Sequence, residues 1–235
     1  IKSSAASDVY KRQGMRAAPG AINSVKISRV NGNIILGMLD DGKAENPRGL
    51  CGSGLIDAIS ELMKARLLKK DGYLLTREEA LRQNVNINLC EHLKSDDKDG
   101  NCFILSKENN IVITQKDIRN VQLAKGAIQA GCEILLKKAG IGLNDINSIK
   151  IAGVFGKYIH VSQAMNFGLF PKYPEKLEIV GNAAGDGAAM ALFEYGFIDE
   201  MEKQVKKVHH VELAGEKDFQ KKFMNAMELK EWYYN

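Results

Sequence analysis

The 235-residue chain is 45% hydrophobic, enough for a buried core, and it lacks any apolar run near the roughly 20 residues that cross a bilayer as a helix, so a membrane-spanning helix is excluded. Its formal charge of +4 is small for this length, and the excess of Lys2, Lys11 and Arg12 over Asp8 supplies half of it, so nothing in the charge balance demands nucleic acid. No charged, apolar and small-residue succession marks a secretory signal, and the expected location is the cytoplasm.

The opening Ile1 to Gln13, IKSSAASDVYKRQ, carries no period and changes abruptly into GMRAAPGAI at Gly14. It resembles translated adapter sequence and is set aside from fold reasoning, with the native protein expected to begin upstream. SVKISRVNGNIILGML then predicts two alternating strands around Asn31-Gly32, a dipeptide that accepts the positive φ of a tight hairpin. RGLCGSGLIDAISELMKARLL places a glycine-bearing loop before an amphipathic helix with Leu55, Ile56, Ile59, Leu62 and Met63 on one face and Ser53 as a candidate cap.

Residues 71–106 show no clear period and read as an irregular insertion, with the DDKDGN cluster at Asp96 to Asn101 as an exposed turn. FILSKENNIVIT predicts a second hairpin, and Thr114 opens a helix that Asp117 favours through the dipole of its first turn. The stripe Val121, Ala124, Ile128, Cys132 and Leu135 is its expected buried face. INSIKIAGVFG gives a strand, a loop and a short helix follow through Phe167, and the strand Leu177 to Val180 feeds into GNAAGDGAAMALFEYG. The last segment, VKKVHHVELAGEKDFQKKFMNAM, reads as a strand and a capping helix. Strand, glycine turn and helix recur in that order, the habit of an α/β domain whose ligands sit at strand ends.

Three segments carry candidate chemistry. In IKIAGVFGK the strand ends at Ala152-Gly153, with Phe155 and Gly156 just beyond; glycine there lets the backbone approach a nucleoside, or serves turn geometry alone. Gly181 to Leu192 is dense in small residues, which suits a close helix contact at a hinge as well as ordinary tight packing. Gly52, Ser53 and Gly54 stand at a helix N-terminus able to receive an anion, though no Walker or Rossmann spacing accompanies them, and simple capping remains open. Gln122 and Lys125 lie one turn apart on the helix before the glycine-bearing strand, placed to reach a base or to form a solvated face. Cys51, Cys90, Cys102 and Cys132 are far apart, without the C-x-x-C pairing of a zinc or iron–sulfur site. The adjacent His209 and His210 lack a second ligand at metal spacing and read as strand residues, one exposed and one packed. The lysines between Lys203 and Lys222 read as a solvated face, with an acidic partner surface as the other reading.

The segments GMRAAPGAI, GLCGSGLIDAISELM, ITQKDIRNVQLAKGAIQAG, IAGVFGKYI and VGNAAGDGAAMAL, in that order, closely resemble the C-terminal domain of the reductive activators of corrinoid proteins. The resemblance runs from Gly14 to about Met227. It implies an α/β, ribonuclease-H-like fold of the actin, sugar-kinase and heat-shock-70 type, incomplete at the N-terminus, in which ATP with Mg2+ binds between two lobes. Residues 149–156 then match the adenosine motif, Gly181 to Leu192 the second interlobe helix, and Gln122 and Lys125 a helix facing adenine. It also implies a corrinoid protein as partner, admits a homodimer, and assigns the [2Fe-2S] cluster to an N-terminal domain absent here. Both phosphate motifs of the superfamily are missing as well, so the expected object is the adenosine half of a split site within residues 14–235. A small-molecule kinase or acyl-CoA dehydratase activator of the same superfamily, and a non-catalytic module that keeps the fold, are the rival readings.

Overall fold

Burial along β1 (Ala21–Ile27) puts Ile22, Val25 and Ile27 into the core, with a register shift between Ile22 and Ser24 breaking the strict alternation. It pairs antiparallel with β2 (Ile34–Met38), Ile27 opposite Ile34, so the predicted hairpin forms and Gly32 takes a φ of 77° at its tip. The computed structural model describes residues 14–39, 46–96 and 100–233, with the side chains of residues 96, 154, 155 and 174 outside the description. The leader at residues 1–13 and the middle of the DDKDGN turn lie outside the described residues.

Parallel to β1 on its other side runs β3 (Gly49–Leu50), which feeds α1 (Gly52–Lys64). This helix lays Ile56, Ile59 and Leu62 on the hairpin, with Leu55 and Met63 half-buried at the margin. Gly54 makes that approach possible, because a Cβ there would stand 2.2 Å from the Ile22 carbonyl oxygen.

Residues 71–106 are not irregular. They contain α2 (Arg77–Arg82), α3 (Ile87–Cys90), β4 (Leu93–Asp96) and β5 (Gly100–Ser106), and β5 pairs with β6 (Ile111–Thr114) in an antiparallel sheet of order β4-β5-β6. A Thr76/Glu79 capping box starts α2, with Thr76 Oγ1 accepting from the Glu79 amide and Glu79 Oε2 from the Thr76 amide. Leu74, Leu75, Leu89 and Phe103 from this stretch share one core with Ile22, Ile59 and Phe167.

Thr114 and Asp117 form the expected cap of α4 (Gln115–Ala139), whose end is closed by Gly140 at a φ of 69°. Its buried face is not the predicted one. Ile118, Gln122, Lys125, Gly126, Ala130 and Ile134 turn inward, whereas Ala124, Ile128 and Leu135 are exposed. The displacement arises because α9 (Phe219–Ala226) packs along α4 at Gly126, where a Cβ would come within 3.2 Å of the Phe223 carbonyl oxygen.

Beyond α4, β7 (Ile149–Ala152) is followed by α5 (Val154–Tyr158) and α6 (Val161–Asn166), and β8 (Leu177–Gly181) pairs parallel to it. Then come α7 (Ala183–Phe193), which buries none of its residues, and α8 (Phe197–Val205). The strand expected near Val208 does not form; His209 and His210 are both exposed in a loop. No helix among the described residues is long and apolar enough to cross a membrane.

Candidate nucleotide site

The parallel strands β7 and β8 deliver two glycine turns side by side at their C-terminal ends. A register shift between Ile151 and Ala152 sets Ala152 opposite Gly181. The Gly153 N–H donates to the Gly181 carbonyl at 2.6 Å, which ties the turns together. Gly153 takes φ 89° and ψ 176°, and Gly181 φ 70°, conformations that residues with a Cβ rarely adopt. At both positions a Cβ would meet nothing within 4 Å among the described residues. Steric crowding by those residues therefore does not explain the two glycines.

Helix N-termini flank the same place. Gly153 is the residue before α5, and Asn182 caps α7 with Oδ1 accepting from the Gly185 amide at 3.3 Å. Crevices beyond the carboxyl ends of parallel strands are where α/β sheets take ligands. Ala152 is exposed beside the turn. Phe155 lies at the start of α5, and its side chain is outside the described residues.

The remaining expected site residues, Gly52 apart, have contacts within the protein. Gly156 packs against its own strand, since a Cβ there would stand 2.9 Å from Ile151 Cγ2 and 3.1 Å from its carbonyl oxygen. Ser53 is buried and does not cap α1; Cys51 holds the N-cap position, and the Cys51 thiol lies 3.2 Å from Ser53 Oγ while donating to the Ile22 carbonyl. Gly54 is filled by the β1 backbone, which leaves Gly52 as the exposed member of the three. The close seating of α1 on β1 thus accounts for Gly54 without a phosphate.

Gln122 and Lys125 neither form a solvated face nor lie open to a base. Lys125 is 1% exposed, and its ammonium donates to the carbonyls of Ala226 at 2.6 Å and Glu228 at 2.7 Å. Gln122 Nε2 donates to the carbonyls of Asp71 and Met227. Both side chains fasten the C-terminal segment, which crosses to bond Leu229 N–H to the Lys70 carbonyl and to bridge Trp232 with Pro171. Burial, with the Lys230 charge, pushes the Lys125 ammonium down to about 8 against the opposing pull of Glu228 and Glu133.

One polar network escaped the reading of the sequence. Asp57, Ser60, Glu61 and Lys64 recur at helical spacing on α1 and face His160, Gln163 and Asn166 around α6, the segment that follows the Gly153 turn. Asp57 Oδ2 accepts from the Val25 amide at 3.3 Å and contacts His160 Nδ1 at 2.7 Å, while Glu61 accepts from the Ile27 amide, Lys64 and Gln163. Burial raises the Asp57 carboxyl above its ordinary value despite His160. Glu61 goes the other way: burial opposes its charge, but the Ile27, Lys64 and Gln163 hydrogen bonds outweigh that and hold it below 4.5. The spacing 57, 60, 61, 64 on an otherwise apolar helix was the available signal.

A depressed carboxyl stabilises the fold above its unfolded pKa, and that contribution is lost as the pH falls through the folded value. Glu61→Gln is therefore expected to cost about 1–3 kcal/mol at pH 7. Urea midpoints of both proteins at pH 7 and pH 3 check this, with the gap narrowing at pH 3.

The chain matches, over residues 9–234, the family described as the C-terminal domain of RACo, the ASKHA domain. The chain belongs to that family. The match begins inside the opening segment set aside on sequence grounds. The corrinoid activation enzyme RamQ of Eubacterium limosum is 37% identical over 226 residues, covering 90% of this chain and 35% of the relative. The [Co(II) methylated amine-specific corrinoid protein] reductase of Methanosarcina barkeri is 24% identical over 238 residues, covering 93% of this chain and 39% of that protein. A solved structure of a reductive activator for corrinoid, iron–sulfur protein superposes with a TM-score of 0.79 at 32% identity, over 94% of this chain and 34% of that one. This ASKHA domain thus spans between a third and two-fifths of the relatives it matches, and the α/β fold expected from its motifs agrees with that of the solved relative.

Proposed function

We propose that this ASKHA domain supplies the nucleoside-facing part of the ATP site of a reductive activator of corrinoid proteins. The observation that carries the reading is the pair of open, positive-φ glycines, Gly153 and Gly181, joined by a hydrogen bond at the ends of β7 and β8. Main-chain groups there are free to lie against a base and ribose without side-chain interference. The names borne by the relatives support the corrinoid assignment.

In this reading the whole protein returns an inactive Co(II) corrinoid to Co(I) by a one-electron reduction coupled to ATP and Mg2+. The cysteines here do not fit an iron–sulfur centre: Cys51, Cys90 and Cys102 are buried, and no group of three or more His, Cys, Asp or Glu side chains among the described residues is arranged to hold a metal. The electron donor, a [2Fe-2S] domain by family resemblance, then belongs to the preceding polypeptide. This chain contributes nucleotide contacts and part of the surface met by the corrinoid protein, in the cytoplasm, in an assembly that admits a homodimer. ATP can drive the step only if its bound states differ in affinity for that partner, because a ligand shifts an equilibrium solely through differential binding.

Calorimetry of the whole protein with ATP and ADP, beside absorbance-monitored Co(II) reduction, is the test. Micromolar or tighter nucleotide binding and ATP-dependent reduction are expected, while the isolated chain shows no magnesium-dependent turnover. Absence of nucleotide binding in the whole protein, or brisk ATP hydrolysis by the isolated chain, overturns the proposal.

A further inference from the structure

Asp57 of α1 is a buried carboxylate, 2% exposed. Its Oδ2 accepts from the Val25 amide and lies 2.7 Å from His160 Nδ1, while Oδ1 has no partner among the described residues. A buried oxygen left bare calls for an explanation, the more so because burial pushes this carboxyl up and folding therefore resists its charge. An asparagine carbonyl would serve the Val25 amide with a smaller desolvation cost. What the charge adds is a stronger bond to the imidazole, with the carboxylate fixing the ring proton on Nδ1. The contact with His160 is thus what distinguishes Asp57 from a neutral residue of the same shape.

His160 stands at the end of the segment that leaves the Gly153 turn. Gly153 opens α5, which is five residues long, and His160 is the residue before α6. So short a helix has little stability of its own, and its position is set by its two ends. At the first, the Gly153 N–H is bonded to the Gly181 carbonyl. At the second, Ile159 is buried and His160, its ring half exposed, reaches Asp57. The His160 side chain makes no cap for α6. Helix α6 is secured independently, since Gln163 and Asn166 bond to Ser60, Glu61 and Lys64 while Ala164 and Met165 lie in the interior. Loss of the imidazole would therefore release α5 and its turn while α6 stays in place.

We propose that His160 is a positioning residue for the nucleoside seat: pinned by Asp57, it fixes the far end of α5 against α1 and so holds the Gly153 turn in its binding conformation before nucleotide arrives. The inference rests on the nucleotide reading and adds to it a residue that acts through the turn and not by contact with the ligand. Without the pin the turn samples other conformations, and the apparent affinity falls by the fraction of molecules in which it stands ready.

Calorimetry with ADP and hydrogen exchange of the nucleotide-free whole protein test this. His160→Leu is expected to weaken ADP binding about tenfold and to speed amide exchange over residues 154–160, with α6 still protected. His160→Asn, whose Nδ2 can stand where the imidazole Nδ1 stood, should keep the affinity within about threefold of the wild type. Asp57→Asn combined with His160→Leu leaves no unpaired buried charge, which guards against a failure to fold, and should bind ADP as weakly as His160→Leu alone. Wild-type affinity in His160→Leu, affinity regained in the double variant, no rescue by His160→Asn, or unchanged exchange over residues 154–160 overturns the proposal and leaves the nucleotide reading standing. Absence of ADP binding in the unsubstituted protein overturns the nucleotide reading, and this one with it.

Discussion

Gly153→Val in the whole protein is expected to weaken ADP binding by about tenfold to a hundredfold. A residue with a Cβ held at φ 89° and ψ 176° is strained by of the order of 1–3 kcal/mol, and each 1.4 kcal/mol is about tenfold in affinity. Relief of that strain requires the turn to rotate, which breaks the 2.6 Å bond from the Gly153 N–H to the Gly181 carbonyl. Any side chain that stays in place occupies the space now open beside the turn. Gly156→Ala provides the contrast, for its Cβ would press on Ile151 and should lower the melting temperature while leaving the affinity of the folded protein nearly intact. Calorimetry and thermal melting of both variants check this, and wild-type affinity in Gly153→Val would remove the support for a nucleoside seat.

Replacing Lys125 by Met should destabilise the domain by about 2–5 kcal/mol, because the buried carbonyl of Ala226 and the partly buried one of Glu228 lose their donor and each unsatisfied buried group costs roughly 1–3 kcal/mol. The effect depends on pH with a definite sign. The folded-state value of Lys125 is about 8, below the ordinary 10.5, so the protonated form is disfavoured by folding. Below pH 8 both states keep the proton and the full cost is present. Between pH 8 and 10.5 the folded state releases its proton first, and stability rises with pH by an amount on the order of 3 kcal/mol. The variant lacks this titration, so its deficit relative to the wild type should widen as the pH is raised from 7 to 10. Denaturant midpoints across that range provide the measurement, and limited proteolysis should show residues after 226 freed first in the variant.

Much of the chain could be read from local rules. Asn31-Gly32 marked a hairpin because few dipeptides accept positive φ, and Thr114 with Asp117 marked the start of α4 because their side chains satisfy its first amides. The strand, glycine turn and helix order at Ile149 to Gly156 and Leu177 to Leu192 located the two turns that now lie together, and the ordered motifs identified the family. The T-x-x-E box at Thr76 was equally local, and its omission made residues 71–106 look irregular.

Other properties depended on partners distant in sequence. Whether a glycine is open or filled is set by what packs against it, so Gly153 and Gly181 meet none of the described residues, whereas Gly54 and Gly156 are occupied by Ile22 and Ile151. Periodicity gave α4 an apolar face, but contact with α9 and the C-terminal segment drew its polar face inward, since those carbonyls needed the donors that Gln122 and Lys125 carry. Hydrophobic spacing specifies that a stripe must be covered; the identity of its cover is a long-range property, written in the folded arrangement of segments that one helix cannot know.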